Sequence, residues 1–183
     1  MVNVVKLPNG LDFRQIVESD KDELDKFDCN HQDTADFFRN DVFQYHKANL
    51  GVTFALLKDK KIMSIVTIGM GAIRFAPNLS LEGIAVSEKP NQFPALKVGR
   101  LATCSSELRK GYAKQLIQVI TALALELRQL IGCRYIIVDS YLDKVDFYKK
   151  LGFQAFYTDF TGRQTVLMFV LLPNNEIPKE SSV

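Results

Sequence analysis

In some segments of this chain apolar residues recur at every third or fourth position, which is typical of helices. In others they alternate with polar residues or form short continuous runs, which is typical of strands. The helical spacing is strongest from Gly111 to about Ile131, where it predicts a long amphipathic helix. The same spacing predicts a helix from about Asp33 to His46. Shorter helices are expected after Ser19, which we interpret as an N-cap, and over Asp143–Lys150.

Segments rich in β-branched and aromatic residues predict the strands. In chain order these are Leu11–Val17, Gly51–Leu57, Ile62–Ile68, Ala95–Thr103, Tyr135–Val138, Phe153–Tyr157 and Val166–Leu172. The first is expected at an edge of the sheet, and Gly69 and Gly71 are expected to end the third. A hairpin turn is predicted at Lys58–Lys61 and a long loop from Ala76 to Phe93.

The element order β, α, α, β, β, β, α, β, α, β, β is typical of an α/β protein with a mixed sheet, because hairpins and crossovers alternate. We expect a central twisted sheet of about six or seven strands flanked by helices. The 183 residues suit one domain spanning 1–183, with a core over about 11–172 and a polar, frayed end over 173–183.

The composition is that of an ordinary soluble protein, with 47% hydrophobic and 24% charged residues. The net charge of +2 is too small to indicate nucleic-acid binding by itself. Cys29, Cys104 and Cys133 lack the spacing of zinc ligands or of a disulfide framework, so we expect no metal site and a reducing compartment. We also find no apolar run of membrane-spanning length and no signal-peptide pattern, and therefore expect a cytoplasmic protein with no membrane contact.

The segment Leu101–Ile117 combines a strand end, a basic turn with one glycine and the first turn of the long helix. Free backbone N–H groups, the positive end of the helix dipole and the cations Arg109, Lys110 and Lys114 then meet at one point. Gly111 removes a Cβ where a phosphate would approach most closely. This pattern predicts a site for a phosphorylated ligand, and the open alternative is a helix that merely begins after a basic turn.

Two segments carry a family resemblance. Leu108–Ala113 (LRKGYA) resembles the central Arg/Gln-x-x-Gly-x-Gly/Ala motif of the GNAT superfamily of acetyl-CoA-dependent N-acetyltransferases, and Phe147–Phe153 (FYKKLGF) resembles its Phe-Tyr-x-x-x-Gly-Phe element. The predicted element order is also that of the superfamily, so the resemblance spans about Leu11 to Leu172 and implies a GNAT-like fold. Leu108 departs from the motif, since it stands where the superfamily has Arg or Gln.

The N-terminal part resembles one branch of the superfamily. Phe27–Asp33, followed by Phe37 and Phe38, is similar to the Phe-Asp-Cys-Gly-x-x-x-Leu-x-x-Phe/Trp-Leu opening of that branch, with Asn30 in place of its glycine. Leu96–Ala102 is similar to the strand that precedes the cofactor turn. The branch includes toxins that acetylate the amino group of aminoacyl-tRNA.

The resemblance implies direct attack of an amine on the thioester of acetyl-CoA, the cosubstrate, without a covalent enzyme intermediate. It implies that Tyr148 is the general acid for the CoA sulfur, although a packing tyrosine would match the same pattern. Backbone N–H groups at the end of the Leu101–Thr103 strand would hold the acyl carbonyl. The residues implied in acetyl-CoA binding are Leu101, Ala102, Thr103, Leu108, Arg109, Lys110, Gly111, Tyr112, Ala113 and Lys114.

No motif marks a general base, and the amine could lose its proton to water. The candidate carboxylates are Asp28, Glu82, Glu88 and Asp139. Each also suits a solvated surface acid. Cys104 would need a histidine partner to act as a nucleophile, and no motif places His31 or His46 beside it.

The sequence supports three functions. The first is an N-acetyltransferase of a primary amine on a small molecule or a macromolecule. The second is a toxin that acetylates aminoacyl-tRNA and has an antitoxin partner, which would need a cationic surface. The cations available for it are Lys58, Lys60, Lys61, Arg74, Lys89, Lys97 and Arg100. The third is a non-catalytic acyl-CoA-binding or protein-interaction module, which Leu108 favours. Homodimers are common in the superfamily, and strands near the C-terminus would suit one.

Overall fold

The computed structural model describes residues 4–75 and 90–175. Its strands are β1 Val5–Leu7, β2 Leu11–Gln15, β3 Val52–Lys58, β4 Lys61–Arg74, β5 Gln92–Thr103, β6 Tyr135–Tyr141, β7 Gln154–Ala155 and β8 Thr165–Leu171. Its α-helices are α1 Lys21–Lys26, α2 Gln32–Asn40, α3 Val42–Lys47, α4 Tyr112–Ile131 and α5 Val145–Lys150.

The strands form one sheet in the order β1-β2-β3-β4-β5-β6-β8-β7. Neighbours are antiparallel except β5 and β6, which run parallel and are joined through the long helix α4. A parallel pair needs such a crossover, whereas the other connections include hairpins. The mixed α/β fold is confirmed, and the described residues form eight strands rather than six or seven because the short strand β1 escaped prediction.

The predicted end of a strand at Gly69 and Gly71 is wrong, because β4 runs through both residues to Arg74. A Cβ on Gly71 would lie 3.1 Å from the Cβ of Lys97, and one on Gly69 would lie 3.1 Å from the carbonyl oxygen of Leu50. The glycines therefore make room for neighbouring chain segments inside a strand.

Three predictions about the N-terminal half also need correction. Residues Glu18–Asp20 form a 3-10 turn, and the Asp20 carboxylate, not Ser19, accepts the Val17 N–H at 2.8 Å. Strand β2 lies between β1 and β3 rather than at an edge, since β1 covers it. The predicted helix from Asp33 to His46 is divided at Asp41 into α2 and α3.

The predicted loop from Ala76 to Phe93 and the predicted frayed end fall largely outside the described residues, which exclude 76–89 and 176–183. The described part of the loop includes Gln92 and Phe93, which already belong to β5.

Helices cover both faces of the sheet. On one face, α4 and α5 bury Leu116, Ile120 and Tyr148 against strand residues that include Val98 and Val138. On the other face, the helices α1 to α3 bury Phe38 and its neighbours against β3, β4 and the end of β5. The end of β5 and the end of β6 thus lie between two helical layers, which is where the candidate site is found.

Candidate functional site

The parallel strands β5 and β6 separate part of the way along their length. They pair from Ala95 with Tyr135 to Val98 with Val138, and within the described residues the pairing goes no further. Beyond it, β5 follows β4 and β6 follows β8. Gly99 is the extra residue of a bulge, since Thr67 pairs with Arg100 and Ile68 with Val98, and a bulge bends its strand. A cleft therefore opens between the two strand ends, with backbone N–H and C=O groups along its walls.

The turn between β5 and α4 has the backbone of an anion site. Arg109 and Gly111 have φ angles of 63° and 87°, in the left-handed region. The Gln115 N–H donates to the Gly111 carbonyl at 3.0 Å. The N–H groups of Tyr112–Lys114 come before this first helical bond, so they have no acceptor inside the helix. Together with the helix dipole, these groups favour a bound anion.

The charges of this turn are partly paired. Lys110 donates to a carboxylate oxygen of Glu107 at 2.9 Å, which raises the pKa of the lysine. Arg109 and Lys114 are exposed. Leu108 is 42% exposed and therefore lies at the surface of the turn rather than in the core. The predicted residues from Leu101 to Lys114 thus follow one path, along the cleft wall and into the start of α4.

Tyr148 lies on α5, which packs against β6 and β8. It is 6% exposed, and its ring lies against Phe147 and Phe153 with centroids 5.1 and 5.4 Å away. Burial raises the pKa of the Tyr148 hydroxyl, so the phenol keeps its proton at neutral pH. The ring packs as a core aromatic does.

The segment Asp28–Asp33, which we call the strap, connects the two diverging strand ends. At the β5 end, the Ser105 N–H donates to the Asp28 carbonyl at 2.9 Å, and the Ser105 hydroxyl donates to Asn30 Oδ1 at 3.2 Å. At the β6 end, the Tyr141 hydroxyl donates to Asp33 Oδ2 at 2.7 Å. The strap therefore lies across the open end of the cleft.

The strap is held by its own sequence. Cys29 is buried, and so is Phe27 immediately before the strap. The Arg39 guanidinium donates twice to the Phe27 carbonyl, at 3.1 and 2.7 Å. The Phe-Asp-Cys motif thus anchors a chain segment, and sequence reasoning missed its contacts with Ser105 and Tyr141 because both are distant in sequence.

An aromatic and charged cluster lies where the strap meets β6. The His31 and Tyr141 rings are stacked with centroids 4.5 Å apart and planes 2° apart. The hydrogen bond from Tyr141 lowers the pKa of Asp33, and the same bond raises the pKa of Tyr141. Arg100 acts electrostatically on both. The pKa of Asp143 is lowered by its hydrogen bond with a lysine and, to a smaller extent, by His31.

The other candidate bases lie in different surroundings. Asp139 pairs with Lys97 at 2.9 Å. Asp28 contributes its carbonyl to the strap. Glu82 and Glu88 lie outside the described residues. The Cys104 thiol is 3.4 Å from the Ser106 hydroxyl, and no histidine of the described chain hydrogen-bonds to it.

The cations proposed for a nucleic-acid surface do not form one patch in the described structure. Lys58, Lys60 and Lys61 belong to the β3–β4 turn, where Lys61 lines a shallow pocket with Cys104 and Glu107. Arg74 is ten residues along β4 from Ser64, the partner of Thr103. At ~3.3 Å per residue this is about 30 Å away. Lys97 and Arg100 lie on β5, where Lys97 pairs with Asp139 and the Arg100 guanidinium lies over the Phe37 ring. Lys89 is outside the described residues.

Among residues 4–75 and 90–175, no group of His, Cys, Asp and Glu side chains could hold a metal ion. Cys29, Cys104 and Cys133 are free thiols. No helix in the described part of the chain has both the length and the apolar character needed to cross a membrane.

Comparison with known proteins identifies the fold. The sequence profile of the acetyltransferase (GNAT) family matches residues 14–153. No curated protein matches the chain. Among solved structures, a Tyr-to-Phe mutant of KacT is similar with a TM-score of 0.74 and 16% identity, over 89% of this chain and 95% of that one.

Two AtaT structures are similar at the same level. AtaT complexed with acetyl-methionyl-tRNAfMet has a TM-score of 0.72 and 17% identity, over 86% of this chain and 93% of that one. A Tyr-to-Phe mutant of the AtaT toxin, bound to the C-terminus of the antitoxin AtaR and acetyl-CoA, has a TM-score of 0.70 and 17% identity, over 89% and 94%. At these identities the similarity establishes the fold.

Proposed function

The chain belongs to the acetyltransferase (GNAT) family, and we propose that it transfers an acetyl group from acetyl-CoA to a primary amine by direct attack. The observation that supports this best is the alignment of two features along one path. The N-terminus of α4 offers unpaired N–H groups for a pyrophosphate, and the cleft between β5 and β6 begins where the preceding strand leaves its neighbour.

Each residue of this path has a physical task. The N–H groups of Tyr112–Lys114, together with Arg109 and Lys110, bind phosphate oxygens. Backbone N–H groups of Leu101–Thr103 donate to the thioester carbonyl and stabilise the oxyanion that develops during attack. Acetyl-CoA supplies the activated acetyl group. Leu108 adds apolar surface where the family motif has a polar side chain, so the backbone donors carry more of the binding.

Tyr148 is the proposed general acid. Its α5 position follows β6 directly, and its buried phenol stays protonated until a thiolate forms nearby. Donation of this proton to the sulfur completes release of CoA. Structures of Tyr-to-Phe mutants of both KacT and AtaT have been solved, and the same type of substitution at Tyr148 tests its role in this chain.

A more specific candidate acceptor is the α-amino group of an aminoacyl-tRNA. AtaT has been seen with acetyl-methionyl-tRNAfMet, and an AtaT mutant has been seen with an antitoxin segment. The Phe-Asp-Cys sequence of that branch also leads into the strap. Lys61 of the β3–β4 turn shares a pocket with Cys104 and Glu107 beside the cofactor turn, and it supplies one cation for a phosphate backbone. An antitoxin would then be the natural protein partner.

Transfer of labelled acetyl from acetyl-CoA tests both levels of the proposal. The acceptors are a mixed aminoacyl-tRNA pool, the same tRNA deacylated, and free amines that include amino-acid methyl esters and spermidine. Label on charged but not deacylated tRNA supports the specific candidate, and label on free amines alone supports the general one. Thermal melting with acetyl-CoA runs in parallel, since a ligand at about a hundredfold over its Kd adds ~2.7 kcal/mol of stability. A melting shift without any transfer would favour a non-catalytic acyl-CoA-binding module instead.

A further inference from the structure

The strap places a histidine at the open end of the cleft, and the function proposed above gives that histidine no task. We propose that the His31 imidazole accepts the proton that the acceptor amine loses during attack, with Tyr141 and Asp33 as positioning residues. This proposal rests on the proposed acetyl transfer and extends it to a proton acceptor that no motif marked.

The position of His31 follows from three contacts. The strap is tied to Ser105, just beyond the end of β5, and to Tyr141 at the end of β6. A thioester held by the N–H groups of Leu101–Thr103 lies between these two ends. An amine that attacks it from the strap side passes the stacked His31 and Tyr141 rings.

The strap and Tyr148 lie on opposite faces of the sheet. Tyr148 belongs to the core formed with α4 and α5, whereas the strap leads into α2, whose Phe38 packs in the core on the other face. A proton donor for the departing sulfur and a proton acceptor for the incoming nitrogen are then supplied from two sides. Direct attack benefits from this arrangement, because the amine adds to one face of the planar thioester and nitrogen and sulfur become separate substituents of a tetrahedral carbon, each with its own proton-transfer partner.

His31 suits the task better than its neighbours. The Asp33 carboxylate is already a hydrogen-bond acceptor for Tyr141, and its pKa is lowered, which makes it a poor proton acceptor at neutral pH. Within the described residues, no hydrogen bond engages the His31 ring nitrogens. Parallel stacking on Tyr141 fixes the imidazole plane and leaves both nitrogens at its edge. Imidazole is the side chain best suited to exchange protons near neutral pH.

The charged surroundings are mixed. Asp33 from α2 and Asp143 from the turn after β6 both interact electrostatically with His31. Arg100 from β5 acts on Asp33 and Tyr141, and Lys144 is paired with Asp143. Two carboxylates and two cations thus lie around the ring.

The proposed step balances. The amine nitrogen forms a bond to the carbonyl carbon with its lone pair, and His31 takes one proton from that nitrogen. The C–S bond breaks with its electron pair on sulfur, and the Tyr148 hydroxyl supplies the proton for the thiol. His31 is only partly buried, so its proton returns to water, and Tyr148 regains one from solvent.

The test compares His31→Asn with His46→Asn, the variant of the other histidine in the chain. His46 lies on α3 beside Gln15, away from the strap, and serves as the matched control. With acetyl-CoA and either aminoacyl-tRNA or an amino-acid methyl ester, His31→Asn should lower kcat about 100-fold at neutral pH and leave the KM for acetyl-CoA within twofold. The rate of this variant should rise with pH beyond the plateau of the wild type, and added imidazole should restore part of it.

Tyr141→Phe keeps the stack and removes the hydrogen bond to Asp33. It should lower kcat about tenfold while keeping the wild-type pH profile, because the base is displaced but still present. A His31→Asn variant with the wild-type pH profile and a rate within threefold of the wild type would overturn the proposal, and so would equal losses in both histidine variants. A wild-type protein without any acetyl transfer would overturn the proposed function together with this inference.

Discussion

A carboxylate oxygen of Glu107 lies 2.9 Å from the Lys110 ammonium, in the turn that prepares the N-terminus of α4 for an anion. Glu107 is partly buried and Lys110 is exposed. The turn therefore contains a negative charge of its own. The Glu107 carboxylate competes with a bound pyrophosphate for Lys110 and also repels the pyrophosphate.

Glu107→Gln should tighten acetyl-CoA binding, since it removes the repulsion and releases Lys110. An exposed ion pair contributes little and is screened by salt, so we expect Kd to fall by no more than about threefold at low salt and less at high salt. Calorimetric titration with acetyl-CoA at two salt concentrations measures this. Glu126→Gln is the control with the same change in net charge, because Glu126 lies roughly 21 Å farther along α4. Equal tightening in both variants would contradict the argument.

Gly111→Ala should weaken acetyl-CoA binding and cost stability. Among the described residues no heavy atom lies within 4 Å of a Cβ built on Gly111, so the cost comes from its φ of 87°. A left-handed alanine costs about 1 kcal/mol, which lowers the melting temperature by about 2–4 °C. Gly162→Ala is the matched control, with a φ of 72° and equally open space. The Gly162→Ala variant should lose similar stability and keep its acetyl-CoA affinity. If both variants lost acetyl-CoA affinity equally, the turn at Gly111 would have no specific role in phosphate binding.

The sequence predicted the parts of the site that depend on local chain order. Leu101–Thr103, the turn and the start of α4 are consecutive in the chain. The left-handed φ angles of Arg109 and Gly111 were not predicted. The long helix and the buried strand β6 were visible because their apolar spacing is strong. The parallel pairing of β5 with β6 then follows from the crossover.

The strap could not be predicted, because its contacts depend on distances that no local pattern encodes. His31 and Tyr141 are brought together by the end of β6 and the start of α2, and Asp28 meets Ser105 across the sheet. The glycines of β4 misled prediction for a related reason. Position 71 needs a glycine because Lys97 of the neighbouring strand lies close to it, and a pattern within one strand cannot show that contact.

Tyr148→Phe should separate catalysis from folding. The variant keeps the ring between Phe147 and Phe153 and loses only the hydroxyl, so stability should stay within about 1 kcal/mol of the wild type. Turnover should fall about 100-fold with acetyl-CoA affinity unchanged. Steady-state kinetics and melting with acetyl-CoA measure the two effects. Tyr157→Phe, which keeps its ring against Arg163, controls for the chemical change, and unchanged turnover in the Tyr148 variant would rule out the general-acid role.

The Asp20 carboxylate and the Arg14 guanidinium form a two-pronged pair, with both N–O distances at 2.7 Å. Their side chains are only 10% and 19% exposed. Burial alone would raise the pKa of Asp20, but the hydrogen bonds from Arg14 and the Val17 N–H outweigh it, so the pKa is lowered. As the pH falls, the Asp20 carboxylate is therefore protonated in the unfolded chain at a higher pH than in the folded protein. The stabilisation is complete above the unfolded pKa of about 4 and is lost as the pH falls through the folded value.

Asp20→Asn should destabilise the protein by about 2–3 kcal/mol at pH 7, because it leaves Arg14 mostly buried without a counter-charge. Urea unfolding at pH 7 and pH 3 measures the difference, which should shrink at the lower pH as the wild type loses the same charge. Asp12→Asn is the control, since Asp12 pairs with an exposed lysine and should cost less than about 0.5 kcal/mol. A destabilisation by Asp20→Asn of the same size at both pH values would mean that shape and hydrogen bonding, rather than charge, hold β2 to the turn before α1.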